Sequence, residues 1–419
     1  MHDWHTCDGS GRLEGNGVAA GVTRRGVMVG MGMGLLAWAT PAIAQLAIDP
    51  AKRDGNVLVV VFLRGGADGL SLVVPFGDET YYRLRPNLAI QRRLTHPLDG
   101  FYGLHPSLAP LLPLYESGRM AVVHACGSQD ETRSHFEAMD TMERGAAKKE
   151  GPSSGWIARY LQASEQRSDS PLRAVAFGST MPGSLIGATG SVALESLTDY
   201  RLDIDPRSLK LLERLYAPGK DEIAEAGRRT FDVLSAMDRL NVSGYRPESG
   251  AAYPESDLGK GLRQTAQLIK AGIGLEIACL DKGGWDTHVA QGTATAGWLP
   301  TLLDDMARSL SAFDTDLGGR MDGVTVVVMS EFGRRIAENS GLGTDHGHGG
   351  VMFVLGGGVR GGRVHARWEG LEKAVGPGDL PVTTDYRDVL ADVARHRLRP
   401  AATREVFAGY SPGSLGLMG

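Results

Sequence analysis

The sequence contains few cysteines, few aromatic residues and no long apolar segment. Only three of its 419 residues are cysteine and 6% are aromatic, which excludes a disulfide-rich scaffold. It has no HExxH, no pair of CxxC motifs, no Walker loop and no G-x-S-x-G motif, so the common zinc-protease, nucleotide-binding and serine-hydrolase patterns have no support. The net charge of −5 at pH 7 argues against nucleic acid as a partner.

The first 44 residues have the pattern of a twin-arginine signal peptide. Arg24 and Arg25 precede a mildly apolar segment that reaches Thr40, and residues 42–44 form a small-x-small cleavage site. The apolar segment is too short to span a bilayer. We therefore expect export by the twin-arginine translocase to the periplasm or beyond, and a mature form without a stable membrane span. The alternative interpretation is a basic loop before a buried helix.

The remaining chain, residues 45–415, has the pattern of an α/β domain. Apolar, β-branched runs such as Asn56–Leu63 alternate with amphipathic segments such as residues 299–313. Continuous apolar runs are typical of strands covered on both faces, so the pattern predicts a mostly parallel central sheet flanked by helices. Leu70–Val74 is predicted to be a short second strand. Residues from about 190 to 257 are charged and helical in pattern, which predicts a helical insertion.

Two cysteines remain after the predicted cleavage. Cys126 and Cys279 each end an apolar run, so we interpret both as buried free thiols. A disulfide is the alternative in an exported protein, although a chain that folds before export does so under reducing conditions.

Polar residues follow the predicted strands at the positions where a parallel sheet binds its ligands. Carboxylate and imidazole groups are ligands of Zn, Mn and Fe, and carboxylates alone suit Ca, so we expect a divalent metal. The candidate metal ligands are Asp286, His288, Glu331, Asp345, His346 and His348. The candidate catalytic residues are Ser134, Arg64 and Arg334. The arginines are suited to hold a sulfate, phosphate or carboxylate group.

Each of these residue groups also has a structural interpretation. The histidines and carboxylates can form a hydrogen-bonded network that holds long loops. Arg64 and Asp68 can be a solvated ion pair beside a glycine turn. Ser134 forms a capping box with Glu137, or it is placed at a helix N-terminus as a nucleophile or anion ligand.

Several motifs together resemble one family, the bacterial exported proteins grouped as domain of unknown function 1501. Besides the twin-arginine leader, the matching segments are FLRGGADGL at 62–70, RSHFEAMD at 133–140, GGWDTH at 283–288, SEFGR at 330–334 and TDHGHGG at 344–350. That family is similar to alkaline phosphatases and sulfatases. The resemblance implies an alkaline phosphatase-like domain with a metal site at the strand ends, acting on phosphate or sulfate esters of small molecules or glycans.

Within this resemblance, Asp286 and His288 match a metal-binding Asp/His pair, and His346 or His348 matches a late metal histidine. Glu331 stands where the superfamily has an Asp-His pair. Arg64 takes the place of the first metal aspartate, and no sulfatase signature occurs. The resemblance therefore implies an exported metal-dependent hydrolase. The alternative is a non-catalytic periplasmic binding protein that retains the hydrolase fold.

Overall fold

A computed structural model describes most of the chain beyond the predicted leader. The described residues are 56–147, 151–163, 170–188, 190–198, 204–218, 221–240, 244–397 and 403–419. The predicted signal peptide, residues 1–44, lies outside them. No helix within these ranges is both long and apolar enough to cross a membrane.

The described residues contain two β-sheets. The strands are β1 Val57–Leu63, β2 Val73–Val74, β3 His96–Pro97, β4 Gly103–Leu104, β5 Met120–Gly127, β6 Ala174–Phe177, β7 Ser191–Leu194, β8 Ile277–Lys282, β9 Val324–Ser330, β10 Gly350–Gly356, β11 Val364–His365 and β12 Thr384–Asp385. Within the described ranges, nine strands form the large sheet in the order β11-β5-β10-β9-β1-β8-β6-β7, and β12 pairs with β5. A small sheet has the order β2-β4-β3.

The large sheet is parallel except at β10. Strand β10 runs antiparallel to both β5 and β9, and the other described pairs of this sheet are parallel. The predicted α/β class with a mostly parallel sheet is therefore confirmed. Because β10 is reversed, the loop before it lies at the same edge as the carboxyl ends of β1, β8 and β9.

Helices cover the sheet and connect its strands. They are α1 Gly69–Leu72, α2 Glu79–Leu84, α3 Leu112–Glu116, α4 His135–Glu143, α5 Trp156–Ala163, α6 Pro206–Tyr216, α7 Glu222–Arg239, α8 Asp257–Ala271, α9 Trp298–Leu317, α10 Tyr386–Arg397 and α11 Thr403–Val406. The range predicted as a helical insertion, residues 190–257, contains β7, α6 and α7.

Strand β1 shows why the apolar runs are continuous. Val57, Val59 and Val61 belong to a core cluster that includes residues of α8 and α9. The alternating residues Leu58 and Val60 belong to a second cluster that includes residues of α5 and α10. Successive side chains of a strand point to opposite faces, so a strand buried on both sides needs apolar residues throughout.

Two local predictions have clear outcomes. Residues 70–72 belong to the short helix α1, so the predicted strand at Leu70–Val74 is wrong except for β2 at its end. A mostly apolar segment of five residues is too short to distinguish one helical turn from a strand. Cys126 and Cys279 are buried and unpaired, which confirms the prediction of free thiols.

Candidate metal centre

Five segments that are far apart in sequence meet at the carboxyl edge of the sheet. The loops after β1, β8 and β9 reach this edge, and so do the loop before β10 and the N-terminus of α4. They bring together Gly65, Asp286, Glu331, His346 and His135, respectively. These loops therefore lie at one edge of the sheet, beyond the carboxyl ends of β1, β8 and β9.

Four side chains bring potential ligand atoms together there. His346 Nε2 lies 2.9 Å from His288 Nε2, and each of these nitrogens lies 3.0 Å from Asp286 Oδ1. His135 Nε2 lies 3.5 Å from Asp286 Oδ2. Ligand atoms of His135, Asp286 and His346 all lie within 4.8 Å of one another. We term these four residues the His/Asp cluster.

The second ring nitrogen, Nδ1, of each histidine in the cluster faces an oxygen acceptor. The three contacts are His135 to Glu331 Oε1 at 2.8 Å, His288 to Asp345 Oδ1 at 3.0 Å and His346 to the Arg133 carbonyl oxygen at 2.9 Å. In a neutral ring that donates to this outer acceptor, the proton is on Nδ1 and the lone pair is on Nε2. Histidines that bind metals have this arrangement, in which an outer acceptor fixes the tautomer.

At the centre of the cluster, Asp286 is ionised and the charged form of His346 is disfavoured. Burial favours the protonated form of Asp286, but the hydrogen bond from Arg334 and the neighbouring His346 ring outweigh it and lower the pKa of Asp286 to about 2. Burial also lowers the pKa of His346. At pH 7 a carboxylate therefore faces the lone pair of a neutral His346. Such a contact is unfavourable unless a cation or an additional proton lies between the groups.

A divalent metal ion fits this set of residues. His135 Nε2 is buried and has no hydrogen-bond partner among the described residues, although its ring is fixed through Nδ1. Neutral imidazole and carboxylate groups are the ligands that Zn, Mn and Fe accept in proteins. His135, His288, His346 and Asp286 are the residues that would hold the ion.

Glu331 fixes the His135 ring and the end of β1 by hydrogen bonds. Its side chain is buried, and Oε1 accepts hydrogen bonds from the Gly65 backbone N–H at 2.7 Å and from the His135 ring. The Ser330 hydroxyl lies 3.0 Å from Glu331 Oε2. Gly65 has a φ of 120°, and a Cβ at this position would lie 2.7 Å from the Asp286 backbone nitrogen. A glycine is therefore required where the first strand meets the cluster.

Arg334 holds Asp286 in place. Its fully buried guanidinium donates to Asp286 Oδ1 at 2.7 Å, to the Trp285 carbonyl at 3.0 Å and to the Thr344 carbonyl at 2.8 Å. It also donates to the carbonyl of Gly66 at 2.6 Å and to that of Gly65. Its donors are thus directed at protein acceptors rather than at an open surface.

Arg64 is likewise engaged by protein groups. It lies 2.8 Å from Glu143 and 2.9 Å from Asp281. Burial opposes its charge, but these two carboxylates more than compensate and raise the pKa of Arg64. Its expected partner Asp68 is buried and pairs with Arg85 at 2.6 Å instead. The structural alternative, a solvated Arg64–Asp68 ion pair, is therefore wrong, because each side chain pairs with a different partner.

Ser134 stands at the N-cap position of α4, directly before His135. Its side chain makes no capping hydrogen bond. Glu137 instead accepts a hydrogen bond from Thr132 Oγ1 at 3.0 Å. The predicted capping box of Ser134 and Glu137 is therefore wrong, and within the described part of the chain the Ser134 hydroxyl has no hydrogen-bond partner.

The remaining predicted ligands lie around the cluster and not at its centre. Asp345 contacts His288 Nδ1, and it also accepts a hydrogen bond from Asn339 at 2.9 Å. The bonds from Asn339 and His288 lower the pKa of Asp345. His348 points away, with Nε2 2.8 Å from the Ser128 carbonyl.

His135 is not among the metal ligands predicted from the sequence. Its position directly after Ser134 drew attention to the helix start, and its partner Glu331 is 196 residues away in sequence. The signal was present in the strand-end pattern, because α4 follows the loop after β5. Nothing local in the sequence distinguishes Asn339 from other loop residues.

Fold and site together define an α/β protein with a candidate His/Asp metal centre at the carboxyl edge of its sheet. Residues 210–395 match the family described as "Protein of unknown function (DUF1501)". This match over part of the chain confirms the resemblance seen in the sequence. Asp286, His288 and His346 lie within the matched region, whereas His135 precedes it. No curated protein matches the chain.

Two solved sulfatase structures are similar to this chain. A proposed sulfatase from Bacteroides thetaiotaomicron VPI-5482 is 12% identical, with 86% of this chain and 74% of that chain covered and a TM-score of 0.34. The PsFucS1 sulfatase from Pseudoalteromonas sp. is 11% identical, with 85% and 72% covered and a TM-score of 0.32. At these values, neither likeness bears on what the present chain does.

Proposed function

We propose that this protein is an exported, metal-dependent hydrolase of phosphate or sulfate esters. The observation that supports it best is the convergence of three imidazole Nε2 atoms on Asp286 while each Nδ1 is held by an outer acceptor. A purely structural network has no need to direct lone pairs at one another. Zn, Mn or Fe is the proposed ion, and Ca is less suited to a site rich in imidazole.

The chain's own residues have separable roles in this proposal. A bound divalent cation would supply Lewis acidity toward the ester and an activated water. Glu331 and Asp345 hold the rings of His135 and His288, which keeps their Nε2 atoms directed inward. Arg334 positions the Asp286 carboxylate.

The N-terminus of α4 is suited to receive the anionic group of the ester. Helix N-termini favour negative charge, and His135, the first residue of α4, places this terminus beside the cluster. The Ser134 hydroxyl, unpartnered among the described residues, is available there as a nucleophile or hydrogen-bond donor. Because Arg64 and Arg334 are engaged by protein groups, we assign them positioning roles.

Export is the second part of the proposal. The twin-arginine pair, apolar segment and cleavage site in residues 1–44 support it, and transport of a folded chain is compatible with a metal site assembled from distant segments. Replacement of Arg24 and Arg25 by lysine should retain the precursor in the cytoplasm, as detected by fractionation. Unchanged export of that variant would contradict this part.

A non-catalytic binding protein remains the second candidate. The observation that favours it is that both predicted oxyanion arginines are occupied by protein acceptors. Such a protein would hold the metal and a ligand without turning the ligand over.

An ester-hydrolysis panel on metal-loaded protein separates the two candidates. We expect turnover of at least one phosphate or sulfate ester, and a loss of about 100-fold or more in Asp286→Asn because the cluster loses its carboxylate. Asp304→Asn is a matched control, since the side chains of Asp286 and Asp304 are 47% and 50% exposed. Metal-loaded, folded protein without turnover on any ester would support the binding protein.

A further inference from the structure

A buried polar network connects the loops that carry the His/Asp cluster. Its charged members are Asp68 and Arg85, whose side chains are fully buried and whose nearest atoms, Arg85 Nη1 and Asp68 Oδ2, lie 2.6 Å apart. A second bond joins Arg85 Nη2 to Asp68 Oδ1 at 3.0 Å. Burial opposes the charge of Asp68, but Arg85 outweighs it and lowers the pKa of Asp68. An ionised carboxylate is therefore held at a fixed place just beyond β1.

Gln291 joins this carboxylate to two threonines. Its Nε2 lies 2.8 Å from Asp68 Oδ2, and its Oε1 lies 2.9 Å from Thr287 Oγ1 and 2.8 Å from Thr344 Oγ1. An ionised carboxylate can only accept hydrogen bonds, so the Gln291 group that faces Asp68 is its NH2. The side-chain carbonyl of Gln291 is thereby directed at both hydroxyls.

The two threonines belong to the loops that carry three of the proposed ligands. Thr287 lies between Asp286 and His288 in the loop after β8, and Thr344 lies two residues before His346 in the loop before β10. The Thr344 N–H also donates to the Thr287 carbonyl at 3.1 Å. A shift of either threonine would therefore move a ligand of one loop relative to the ligands of the other.

The network also fixes the segment after β9. Arg85 donates to the carbonyl oxygens of Arg335 at 2.8 Å and Ile336 at 2.7 Å. Replacing a buried ion pair by apolar residues often costs no stability, so a pair of this kind is better explained by the single arrangement that its directional bonds select. Here that arrangement includes the orientation of the Gln291 amide.

We propose that Gln291 is a positioning residue of the metal centre. Its side-chain carbonyl holds the loop after β8 and the loop before β10 in the relative position at which the ligands of the His/Asp cluster converge. The part of this inference that concerns the metal rests on the proposed function, whereas the fixation of the two loops does not.

Zinc affinity distinguishes positioning from a general contribution to stability. We expect Gln291→Met to bind zinc about 10-fold more weakly in competition with a chromogenic chelator, because the loops lose their common acceptor while every ligand atom remains. Thr265→Val is the control, since Thr265 is also buried and its hydroxyl donates within α8, to the Gly261 carbonyl at 2.8 Å. An unchanged affinity in Gln291→Met, or an equal loss in Thr265→Val, would overturn the inference.

Two substitutions of Thr344 test the hydrogen bond more gently and keep Gln291 in place. Thr344→Val retains the shape and removes the hydroxyl, whereas Thr344→Ser retains the hydroxyl and removes the methyl group. We expect zinc binding about 3- to 10-fold weaker than wild type in Thr344→Val and close to wild type in Thr344→Ser. A serine variant as weak as the valine variant would show that Thr344 acts by packing, and would overturn the inference.

Hydrogen exchange of the metal-free protein separates this inference from the proposed function. We expect backbone amides in residues 286–291 and 341–346 to exchange about 10-fold faster in Gln291→Met than in the wild type, and at the wild-type rate in Thr265→Val. Faster exchange in a protein that binds no zinc would contradict the metal centre and support the fixation of the loops. Zinc binding by the wild type, with exchange and affinity unchanged in Gln291→Met, would contradict the positioning role and leave the metal centre standing.

Discussion

At the scale of single residues, the outer contacts of the histidines decide how the cluster is interpreted. Glu331, Asp345 and the Arg133 carbonyl each face an Nδ1 atom, and this leaves the Nε2 lone pairs of three rings directed toward one carboxylate. Surface histidines that only stabilise loops have no reason to share this orientation. The outer acceptors are therefore as informative as the ligands themselves.

Replacement of Asp345 by asparagine tests this point. We expect the zinc affinity to fall about 10- to 100-fold, because the charged partner of the His288 ring is lost while the ligand atoms remain. A competition titration with a chromogenic chelator measures the affinity. Asp304→Asn should match the wild type. An unchanged affinity in Asp345→Asn would contradict the assigned role of Asp345.

A buried histidine outside the site should make the fold sensitive to acid. His124 accepts a hydrogen bond from the Ala125 N–H on Nδ1 and contacts the Val73 carbonyl through Nε2, which requires a neutral ring. Burial lowers the pKa of His124 from 6.5 to about 4. The unfolded chain therefore binds this proton first as the pH falls, and stability is lost between pH 6.5 and 4.

This effect is measured on chelator-treated protein, so that metal binding does not contribute to the pH dependence. We expect the unfolding free energy of the wild type to fall by about 3 kcal/mol more than that of His124→Gln over this pH range, as followed by urea denaturation. His105, whose pKa burial also lowers to about 4, is present in both proteins and cancels from the comparison. Parallel pH profiles would contradict the neutral state of His124.

At the scale of elements, the loop before β10 is fixed against the end of β9. The Gly347 N–H donates to the Gly333 carbonyl at 2.9 Å, and the Gly333 N–H donates to the His348 carbonyl at 2.8 Å. A Cβ on Gly347 would lie 2.3 Å from the backbone carbon of Arg334. This close approach places His346 opposite Arg334, with which it forms an antiparallel bridge.

Gly347→Ala should therefore separate the two loops. We expect a loss of about 1–3 kcal/mol in unfolding free energy from steric overlap, together with weaker zinc binding. Gly100→Ala is the control, because nothing lies within 4 Å of its Cβ position, and its stability should change by less than about 0.5 kcal/mol. Thermal and denaturant unfolding provide the comparison, and equal stability of the two variants would refute the close packing.

The sequence predicted the strands and helices better than it predicted which strands pair and which side chains contact each other. Continuous apolar runs such as β1 and β9 are readable because burial on both faces requires them. The reversed direction of β10 depends on the path of its loop and is not encoded in an apolar run. Whether Arg64 is free for a ligand depends on Glu143, which is 79 residues away. His135 belongs to the strand-end pattern after β5, but only the folded chain shows that it reaches Asp286.

At the scale of the whole molecule, the sheet acts as the frame of the site. The cluster draws on α4, the loop after β8 and the loop before β10, with support from the ends of β1 and β9. No local segment contains a sufficient ligand set by itself. The site therefore exists only in the folded chain, and we expect metal binding and folding to be coupled.

The metal content of the purified protein tests the central claim most directly. Elemental analysis should compare wild type, His346→Ala and His348→Ala, each purified without chelator. The two variants remove the same side chain from the same loop, but only His346 points into the cluster. We predict stoichiometric Zn, Mn or Fe in the wild type and in His348→Ala, and its loss in His346→Ala. A folded wild type without metal, or equal loss in both variants, would contradict the His/Asp metal centre.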